Sequence, residues 1–309
     1  MKGVIQIKSG YVTIIGKPNA GKSTLVNKLV GFKVAITTPK PQTTRFNIKG
    51  IITTQNSQMV LIDTPGVHLP KSRMGEYMMK GVENSIKGVD VVVYLVDAIK
   101  PKIDTANEQI MSRIAQSGAN TILCINKIDK VPKENILKIM DEYNRFMKNV
   151  GGEFKELIPI SIYKNDGLDI LLQNIEKYLK EGLPMYSEDE ITDITEKELV
   201  EETIREKALN NLDEEVPHGI KVEVEKFKKR KNKSKQSVYD IEVNMICDKM
   251  SHKGIIIGKN GEMLKKIGSE SRVEIEAMLE DKVNLKLWVK VRPHWQQMEN
   301  YLKDIKGKI

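Results

Sequence analysis

The first 180 residues alternate between short, continuously apolar segments and longer segments in which apolar and polar residues recur at helical spacing. β-Branched apolar runs between helices are typical of parallel strands buried on both faces. The pattern therefore predicts an α/β domain with a doubly wound, mostly parallel sheet, and ligands in such sheets bind at the carboxyl ends of the strands. The predicted strands are YVTIIG (Tyr11–Gly16), MVLID (Met59–Asp63), VVVYLVD (Val91–Asp97), TILCIN (Thr121–Asn126) and LIPIS (Leu157–Ser161).

The remainder of the chain has a different pattern, with a helix near Lys197–Leu212, two strands joined by a lysine-rich turn, two helices around GKNG and a final strand. Strict alternation in IKVEVEKF and LKLWVKV indicates strands with one wet face and one packed face, so we predict a separate α+β domain. A proline and many acidic residues in EGLPMYSEDEITDITEKE indicate a connecting segment. We place the first domain at residues 1–182, a linker at 183–197, and the second domain, ending in a C-terminal helix, at 198–309.

The net charge of +8 is unevenly distributed along the 309 residues. Residues 1–220 contain 29 Lys and Arg against 29 Asp and Glu, whereas residues 221–309 contain 21 against 13. A basic domain joined to a neutral one suggests a polyanionic partner, either nucleic acid or an anionic membrane surface. The two cysteines, Cys124 and Cys247, lack the paired spacing of a metal site, and we expect both to be buried and reduced.

A glycine-rich motif follows the first predicted strand. GKPNAGKS matches G-x-x-x-x-G-K-[ST] between a strand and a helix, the context in which this motif binds nucleotide phosphates. Backbone amides would cradle the phosphates, Lys22 would reach their oxygens, and the Ser23 hydroxyl would bind Mg²⁺. The predicted nucleotide-binding residues of this loop are Gly16, Lys17, Pro18, Asn19, Ala20, Gly21, Lys22, Ser23 and Thr24.

Two further motifs end apolar strands. LIDTPG places Asp63 where a carboxylate would face Mg²⁺ and Gly66 where an amide would sense the γ-phosphate. NKID places Asn126, Lys127 and Asp129 beside the base. The Asp129 carboxylate can accept two hydrogen bonds from guanine that adenine cannot supply, so the site should select GTP and GDP over adenine nucleotides.

These motifs, in this order, resemble the Era-like GTPases of the translation-factor class. The resemblance implies Mg²⁺-dependent hydrolysis of GTP, and a base-binding loop at Ser161 and Ile162. It also implies a threonine of TTPKPQTTRFNI as a ligand of Mg²⁺; alignment with TTR favours Thr44, with Thr43 as the alternative. The implied metal ligands are thus Ser23, Thr44 and Asp63, and the implied catalytic residues are Lys22, Thr44 and Gly66.

The residue after D-x-x-G bears on the rate of hydrolysis. Many GTPases have a glutamine there to orient the attacking water, whereas this chain has Val67, which cannot polarise water. The resemblance to the Era-like group therefore implies slow intrinsic turnover. It also suggests a hypothesis that Asn19 acts with a K⁺ ion. His68 is a weaker candidate for a base, since a histidine on a loop is usually solvated.

A second glycine loop occurs in HKGIIIGKNGEMLKKIG. Two glycines could simply mark a turn between helices. However, the order of elements and the basic charge resemble a type II KH domain, in which a G-x-x-G loop clamps the backbone of about four nucleotides. The RNA-binding residues implied are Lys253, Gly254, Ile256, Ile257, Gly258, Lys259, Asn260, Gly261, Lys265 and Lys266, and Ile256 and Ile257 would either line the base groove or pack beneath it.

Taken together, these patterns predict a GTP-regulated RNA-binding protein. The resemblance implies a monomer that binds 16S rRNA near its 3′ end and acts in assembly of the 30S subunit, located in the cytoplasm with possible peripheral association with the inner membrane. The lysine-rich turn at Lys226–Gln236 would contact phosphates. The alternative is a peripheral membrane GTPase whose basic domain binds anionic lipid, which the absence of one long basic amphipathic helix disfavours.

Overall fold

The computed structural model describes residues 6–41, 43–70, 73–232 and 234–298. The chain divides into two compact units. Among the described residues, the first unit comprises the chain up to Ala35 together with Thr44–Asp193, and the second comprises Ile36–Thr43 and the chain from Ile194 onward. A short piece of the N-terminal half therefore belongs to the second unit, which the sequence pattern did not predict.

A seven-stranded sheet forms the centre of the first unit, with β2-β3-β1-β4-β5-β6 as the order of its main path. The pairs formed by β1 with β3 and β4, by β4 with β5 and by β5 with β6 are parallel, as predicted. β2 is antiparallel to β3 at one edge, and β7 is antiparallel to the start of β1. The strands are β1 (Ile7–Gly16), β2 (Ile48–Thr53), β3 (Ser57–Asp63), β4 (Val91–Asp97), β5 (Asn120–Asn126), β6 (Glu156–Pro159) and β7 (Lys180–Gly182).

Helices follow most of the parallel strands and cover apolar residues of the sheet. The first six residues of β4 are buried, which explains why this strand is a continuous apolar run without alternation. Local signals also fix helix ends: Asp104 caps α3 through the backbone N–H of Asn107, and Gly31 ends α1 in the left-handed conformation. The helices are α1 (Lys22–Val30), α2 (Arg73–Ser85), α3 (Thr105–Ser117), α4 (Lys133–Asn149) and α5 (Leu168–Lys177).

The predicted linker is largely part of the first unit. The Ile51 amide donates to the Ile191 carbonyl oxygen at 2.8 Å, and Gly50 forms an antiparallel bridge with Thr192. The Lys49 ammonium lies 2.7 Å from the Asp193 carboxylate. Residues up to 193 therefore run beside the outer edge of β2, and the unit boundary falls after Asp193, inside the predicted 183–197 segment.

The second unit has the order of elements of a type II KH domain. Its sheet has the order β10-β9-β8, with β10 parallel and β8 antiparallel to the central β9. Apolar residues of α6, α7 and α8 form one core with alternate residues of the strands, so these helices pack on the same face of the sheet. The elements are α6 (Glu196–Asn211), β8 (Lys221–Lys231), β9 (Ser237–Cys247), α7 (Met250–Ile257), α8 (Glu262–Leu279) and β10 (Lys282–Val291).

The lysine-rich segment is mostly strand rather than turn. β8 continues to Lys231, beyond the predicted start of the turn at Lys226. Cross-strand ion pairs explain the extension, because Arg230 Nε lies 2.5 Å from Asp240 Oδ2 and Lys226 Nζ lies 3.3 Å from Glu242 Oε1. The predicted C-terminal helix lies beyond residue 298, outside the described residues.

The state of the two cysteines and the apolar content of the helices can be read from the described part of the chain. Cys124 and Cys247 are both buried, free thiols, as predicted. Among the helices of the described residues, none has the length and apolar content needed to cross a membrane.

Truncating the centre of the second core should destabilise the second unit. Ile241 on β9 is fully buried, so Ile241→Ala should lower the free energy of unfolding by roughly 2–5 kcal/mol. Both tryptophans of the chain, Trp288 and Trp295, belong to this unit, so urea unfolding followed by tryptophan fluorescence measures the change. Val273→Ala on the exposed side of α8 is the control, with an expected change within about 0.5 kcal/mol. Equal effects of the two substitutions would contradict this account of the core.

Candidate functional site

The first glycine loop joins the end of β1 to the start of α1. Gly21 has a φ of 104°, and a Cβ there would come within 2.6 Å of Asn126 Nδ2, so only glycine fits. Asn19 also adopts a positive φ, of 63°, which asparagine tolerates better than most residues. The loop therefore turns tightly enough to place backbone N–H groups at the N-terminus of α1, where they favour anions.

Lys22 bends back over the loop. Its Nζ donates to the carbonyl oxygens of Gly16 and Lys17, each at 3.1 Å, and the side chain is buried. Burial lowers the pKa of Lys22 to about 8, an effect that the nearby Asp63 carboxylate partly opposes. A buried ammonium that donates to carbonyl oxygens can exchange these partners for phosphate oxygens.

The three predicted metal ligands lie together. Ser23 Oγ donates to Asp63 Oδ2 at 2.6 Å, Thr44 Oγ1 donates to the same oxygen at 3.2 Å, and the two hydroxyl oxygens are 3.0 Å apart. Thr43 lies elsewhere, since its Oγ1 donates to the Lys40 carbonyl oxygen at 2.7 Å. Of the two threonines left open by the sequence, only Thr44 therefore joins Ser23 and Asp63.

This group of oxygens suits Mg²⁺. Asp63 is completely buried, and within the described part of the chain its Oδ1 has no hydrogen-bond partner. Burial raises the pKa of Asp63, while Lys22 and the Ser23 hydroxyl act in the opposite direction. Mg²⁺ prefers one or two carboxylates combined with hydroxyl, water and phosphate oxygens, so these residues fit the ion, which would also neutralise the buried carboxylate.

The base side of the site is tied to the phosphate side by Asn126. Its Nδ2 donates to the Ala20 carbonyl oxygen at 2.8 Å, and its Oδ1 accepts from the Ile162 amide at 3.3 Å. Lys127 Nζ adds a bond to the Asn19 carbonyl oxygen at 3.0 Å. Residues 126 and 127 thus hold the phosphate loop and the loop that contains Ile162 in a fixed position relative to each other.

Asp129 and Ser161 form the predicted base-binding contact point. The Ser161 hydroxyl donates to Asp129 Oδ1 at 2.6 Å, and this bond lowers the pKa of the Asp129 carboxyl. Ser161 thus contacts Asp129 through its side chain, whereas Ile162 contacts Asn126 through its backbone amide. Asp129 stays ionised, which is the state needed to accept hydrogen bonds from guanine.

The residues after Asp63 show why turnover should be slow. A Cβ at Gly66 would lie 2.7 Å from the Pro18 side chain, so glycine permits close approach to the phosphate loop. The Val67 amide donates to the Gly16 carbonyl oxygen at 3.0 Å, while its side chain is buried in the hydrophobic core. His68 Nδ1 is 2.7 Å from the Gly66 carbonyl oxygen. No water-orienting side chain is therefore supplied by Val67.

The two remaining predicted loop residues have peripheral positions. Lys17 lies at the rim, where its Nζ is 2.8 Å from Asp104 Oδ2 and donates to the Lys102 carbonyl oxygen at 2.6 Å. Thr24 is exposed in the first turn of α1.

The second glycine loop connects α7 to α8 in the second unit. Gly258 has a φ of 73°, and a Cβ there would lie 2.7 Å from the Met263 Cβ atom. Gly261 has a φ of 80° with open space around it, and Asn260 has a φ of 52°. Lys259 and Asn260 are exposed between the two glycines. The loop thus presents backbone and a lysine to solvent, as the clamp for a nucleic-acid backbone requires.

The residues beside this loop separate into exposed and buried sets. Ile256 is completely buried in the core, which agrees with the predicted alternative that it packs beneath the base groove. Ile257 is partly buried against the same core. Ile255, which the sequence reasoning missed, is half exposed because it lies on a different face of α7 from Ile256. Of the remaining predicted positions, Gly254, Lys265 and Lys266 are exposed and Lys253 is half-buried.

Comparison with known proteins matches each unit separately and the chain as a whole. Residues 11–127 match the family model described as a 50S ribosome-binding GTPase, and residues 215–296 match that of the KH domain. GTPase Era of Ruminiclostridium cellulolyticum is 48% identical over 299 residues, covering 96% of this chain and 97% of that protein. GTPase Era of Caldicellulosiruptor saccharolyticus is 47% identical, covering 94% of each. The chain belongs to the Era family of GTPases.

Solved Era structures agree with this assignment. One, Era in complex with MgGDPNP and nucleotides 1506–1542 of 16S ribosomal RNA, has a TM-score of 0.90 at 38% identity and covers 98% of this chain and 100% of its own. An Aquifex aeolicus Era variant bound to GDP and aluminium fluoride has a TM-score of 0.89 at 37% identity, with the same coverage. The chain is thus a GTPase that carries a KH domain, as predicted.

The lowered pKa of Lys22 predicts that nucleotide affinity depends on pH. The ammonium is charged below pH 8, and as pH rises through 8 the free protein loses a proton that phosphate binding must restore. Between pH 7 and pH 8.5 the affinity for GDP should therefore fall about fourfold, with proton uptake visible by titration calorimetry in two buffers.

Two lysine substitutions on the same helix make this test specific. Lys22→Gln should bind GDP weakly at every pH and show no dependence between pH 7 and pH 8.5. Lys28→Gln, at an exposed position in the last turn of α1, should behave as the unchanged protein does. A flat pH profile in the unchanged protein would mean that the Lys22 ammonium keeps its proton throughout this range.

Proposed function

We propose that this Era-family protein is a GTP-regulated RNA-binding protein that binds 16S rRNA near its 3′ end and acts in assembly of the 30S subunit. The observation that carries the proposal is the presence, in one chain, of a complete GTP site and an exposed G-x-x-G loop on a KH fold. It is supported by the likeness, over 98% of the chain, to an Era that was crystallised with MgGDPNP and 16S rRNA nucleotides.

The residues of the first unit suggest how GTP is bound and hydrolysed. Mg²⁺, when bound, would supply positive charge that neutralises the charge developing on the phosphates. Ser23, Thr44 and Asp63 would hold this ion, and Lys22 would contact the β- and γ-phosphates. The Gly66 amide would sense the γ-phosphate. Because Val67 offers no polar group, the attacking water depends on backbone groups, a cation or a bound partner, and intrinsic turnover is slow.

RNA binding and GTP binding must influence each other equally. If GTP raises the affinity for RNA by some factor, RNA raises the affinity for GTP by the same factor. The link would be the segment between α1 and β2, which contains Thr44. A peripheral location on the inner membrane stays a prediction, as does the monomeric state.

The second glycine loop can be tested by reversing one charge. Lys259→Asp should weaken binding of a 16S rRNA fragment, nucleotides 1506–1542, about tenfold at moderate salt and make the slope of log affinity against log salt shallower by about one. The matched control is Lys138→Asp, the same change at an exposed position of α4. Fluorescence anisotropy at four salt concentrations, with a GTP analogue and with GDP, provides the measurement. Equal losses in both variants would place the RNA elsewhere.

We also propose that K⁺ assists hydrolysis through Asn19. The exposed position of Asn19 in the phosphate loop and the apolar Val67 support a cation in place of a polar side chain. GTP turnover should therefore be faster in K⁺ than in Na⁺ at equal ionic strength. Asn19→Gly keeps the positive φ that this position needs but removes the carboxamide, and should abolish the difference. Identical rates in both salts for the unchanged protein would end this proposal.

A further inference from the structure

The segment Ile36–Thr43 lies within the GTPase half of the sequence but belongs to the second unit. It is held against α6 at both of its ends. The Thr37 amide donates to Glu206 Oε1 at 2.9 Å, and the Thr43 carbonyl oxygen accepts from Arg205 Nη2 at 2.5 Å. Lys40, in the middle, contacts the C-terminal end of the same helix through the Leu212 carbonyl oxygen.

Arg205 is oriented for this contact by its neighbour one turn earlier. Arg205 Nε donates to Glu202 Oε1 at 2.8 Å, and Nη2 donates to Glu202 Oε2 at 2.6 Å. This two-point contact fixes the plane of the guanidinium, and the second hydrogen of Nη2 then points at the Thr43 carbonyl. A lysine could supply the charge but not this fixed fork.

These charged groups are buried, which makes their arrangement informative. Arg205 is 3% exposed, Glu206 2% and Glu202 8%. Burying ionised groups is costly, and a well-packed apolar set is often as stable, so a buried ionic network is weak evidence for stability alone. The hydrogen bond from Arg205 to Thr43 indicates another role for these buried charges, because it holds one backbone carbonyl group in place.

That carbonyl belongs to the peptide bond preceding Thr44. In the first unit, Thr44 Oγ1 lies beside Ser23 and Asp63, where Mg²⁺ is proposed to bind. We propose that Arg205, oriented by Glu202, is a positioning residue that holds Thr44 where it can bind Mg²⁺ in the GTP state. The inference rests on the proposed metal role of Thr44 and goes beyond it by assigning a residue of the second unit to nucleotide discrimination.

The consequence concerns GTP more than GDP. Thr44 is expected to bind Mg²⁺ only when the γ-phosphate is present, so a residue that positions Thr44 contributes to affinity for GTP and not for GDP. A residue with a merely structural role would change both affinities, or neither. The ratio of GTP affinity to GDP affinity therefore distinguishes a role in positioning Thr44 from a purely structural role.

The test compares two substitutions on α6 that each remove one positive charge. Arg205→Gln should weaken binding of a non-hydrolysable GTP analogue about tenfold and leave GDP affinity within twofold. It should also raise the Mg²⁺ concentration required for half-maximal GTP turnover. Lys197→Gln, at an exposed position of the same helix, should change none of these quantities. Affinities are measured by titration of the full-length protein with fluorescently labelled nucleotides.

Two further variants keep the inference testable. Arg205→Lys retains the charge beside Glu202, so a restored GTP preference in this variant would mean that charge alone matters and would overturn the positioning role. If Arg205→Gln is unstable because Glu202 is left buried without its partner, the double variant Glu202→Gln/Arg205→Gln removes both charges and should show the same selective loss. Thermal unfolding of each variant without nucleotide identifies a folding defect.

A double-mutant cycle distinguishes failure of the inference from failure of the metal assignment. Thr44→Ala should itself weaken the GTP analogue selectively, and Arg205→Gln should add nothing in that background. If Thr44→Ala does not discriminate between GTP and GDP, the proposed metal role of Thr44 is wrong. If Thr44→Ala discriminates but Arg205→Gln changes both affinities equally, or neither, the positioning role of Arg205 is wrong while the GTP and RNA proposals are unaffected.

Discussion

The nucleotide site depends on one buried side chain, Asn126. Its carboxamide donates to the Ala20 carbonyl oxygen and accepts from the Ile162 amide, so it sets the distance between the phosphate loop and the base loop. An aspartate of the same shape could accept from Ile162 but could not donate to Ala20. Gly21 is required for the same reason, since any side chain there would displace the carboxamide. The phosphate loop and the base loop are therefore joined through a single carboxamide, to which Lys127 adds a bond to the Asn19 carbonyl oxygen.

The charged side chains beside the phosphate loop suit the binding of a divalent cation. Lys22 and Asp63 are both buried, and each shifts the pKa of the other toward its charged form against the effect of burial. Burial therefore disfavours the charged forms of both side chains. Phosphate beside Lys22 and Mg²⁺ beside Asp63 would offset this cost. The Val67 side chain is buried in the hydrophobic core and offers no polar group to a water molecule.

The sequence was most informative where function fixes the local spacing of residues. The phosphate loop, Asp63, residues 126–129 and the G-x-x-G loop were all predicted because each is a short motif at the end of a strand or between helices. The exposure of Ile255 rather than Ile256 was missed, because two adjacent apolar residues on a short helix do not reveal which one faces the core.

The features that the sequence did not reveal depend on residues far apart in the chain. α6 shows no clear amphipathic stripe because its polar residues Glu202, Arg205 and Glu206 are covered by a segment about 160 positions earlier. In the same way, residues 191–193 resemble a linker in composition, but they pair with the edge of β2. The length of β8 depends on ion pairs with β9 that only the folded sheet brings together.

The inclusion of Ile36–Thr43 in the second unit means that the two units cannot be separated by a single cut. A fragment ending near residue 193 would carry this segment without α6, leaving Ile36, buried in the whole protein, without its surroundings. A fragment starting near residue 194 would expose the buried charges of Glu202, Arg205 and Glu206 to water. Each unit in isolation would therefore lack residues that complete its own packing, so the second unit is not a simple terminal module.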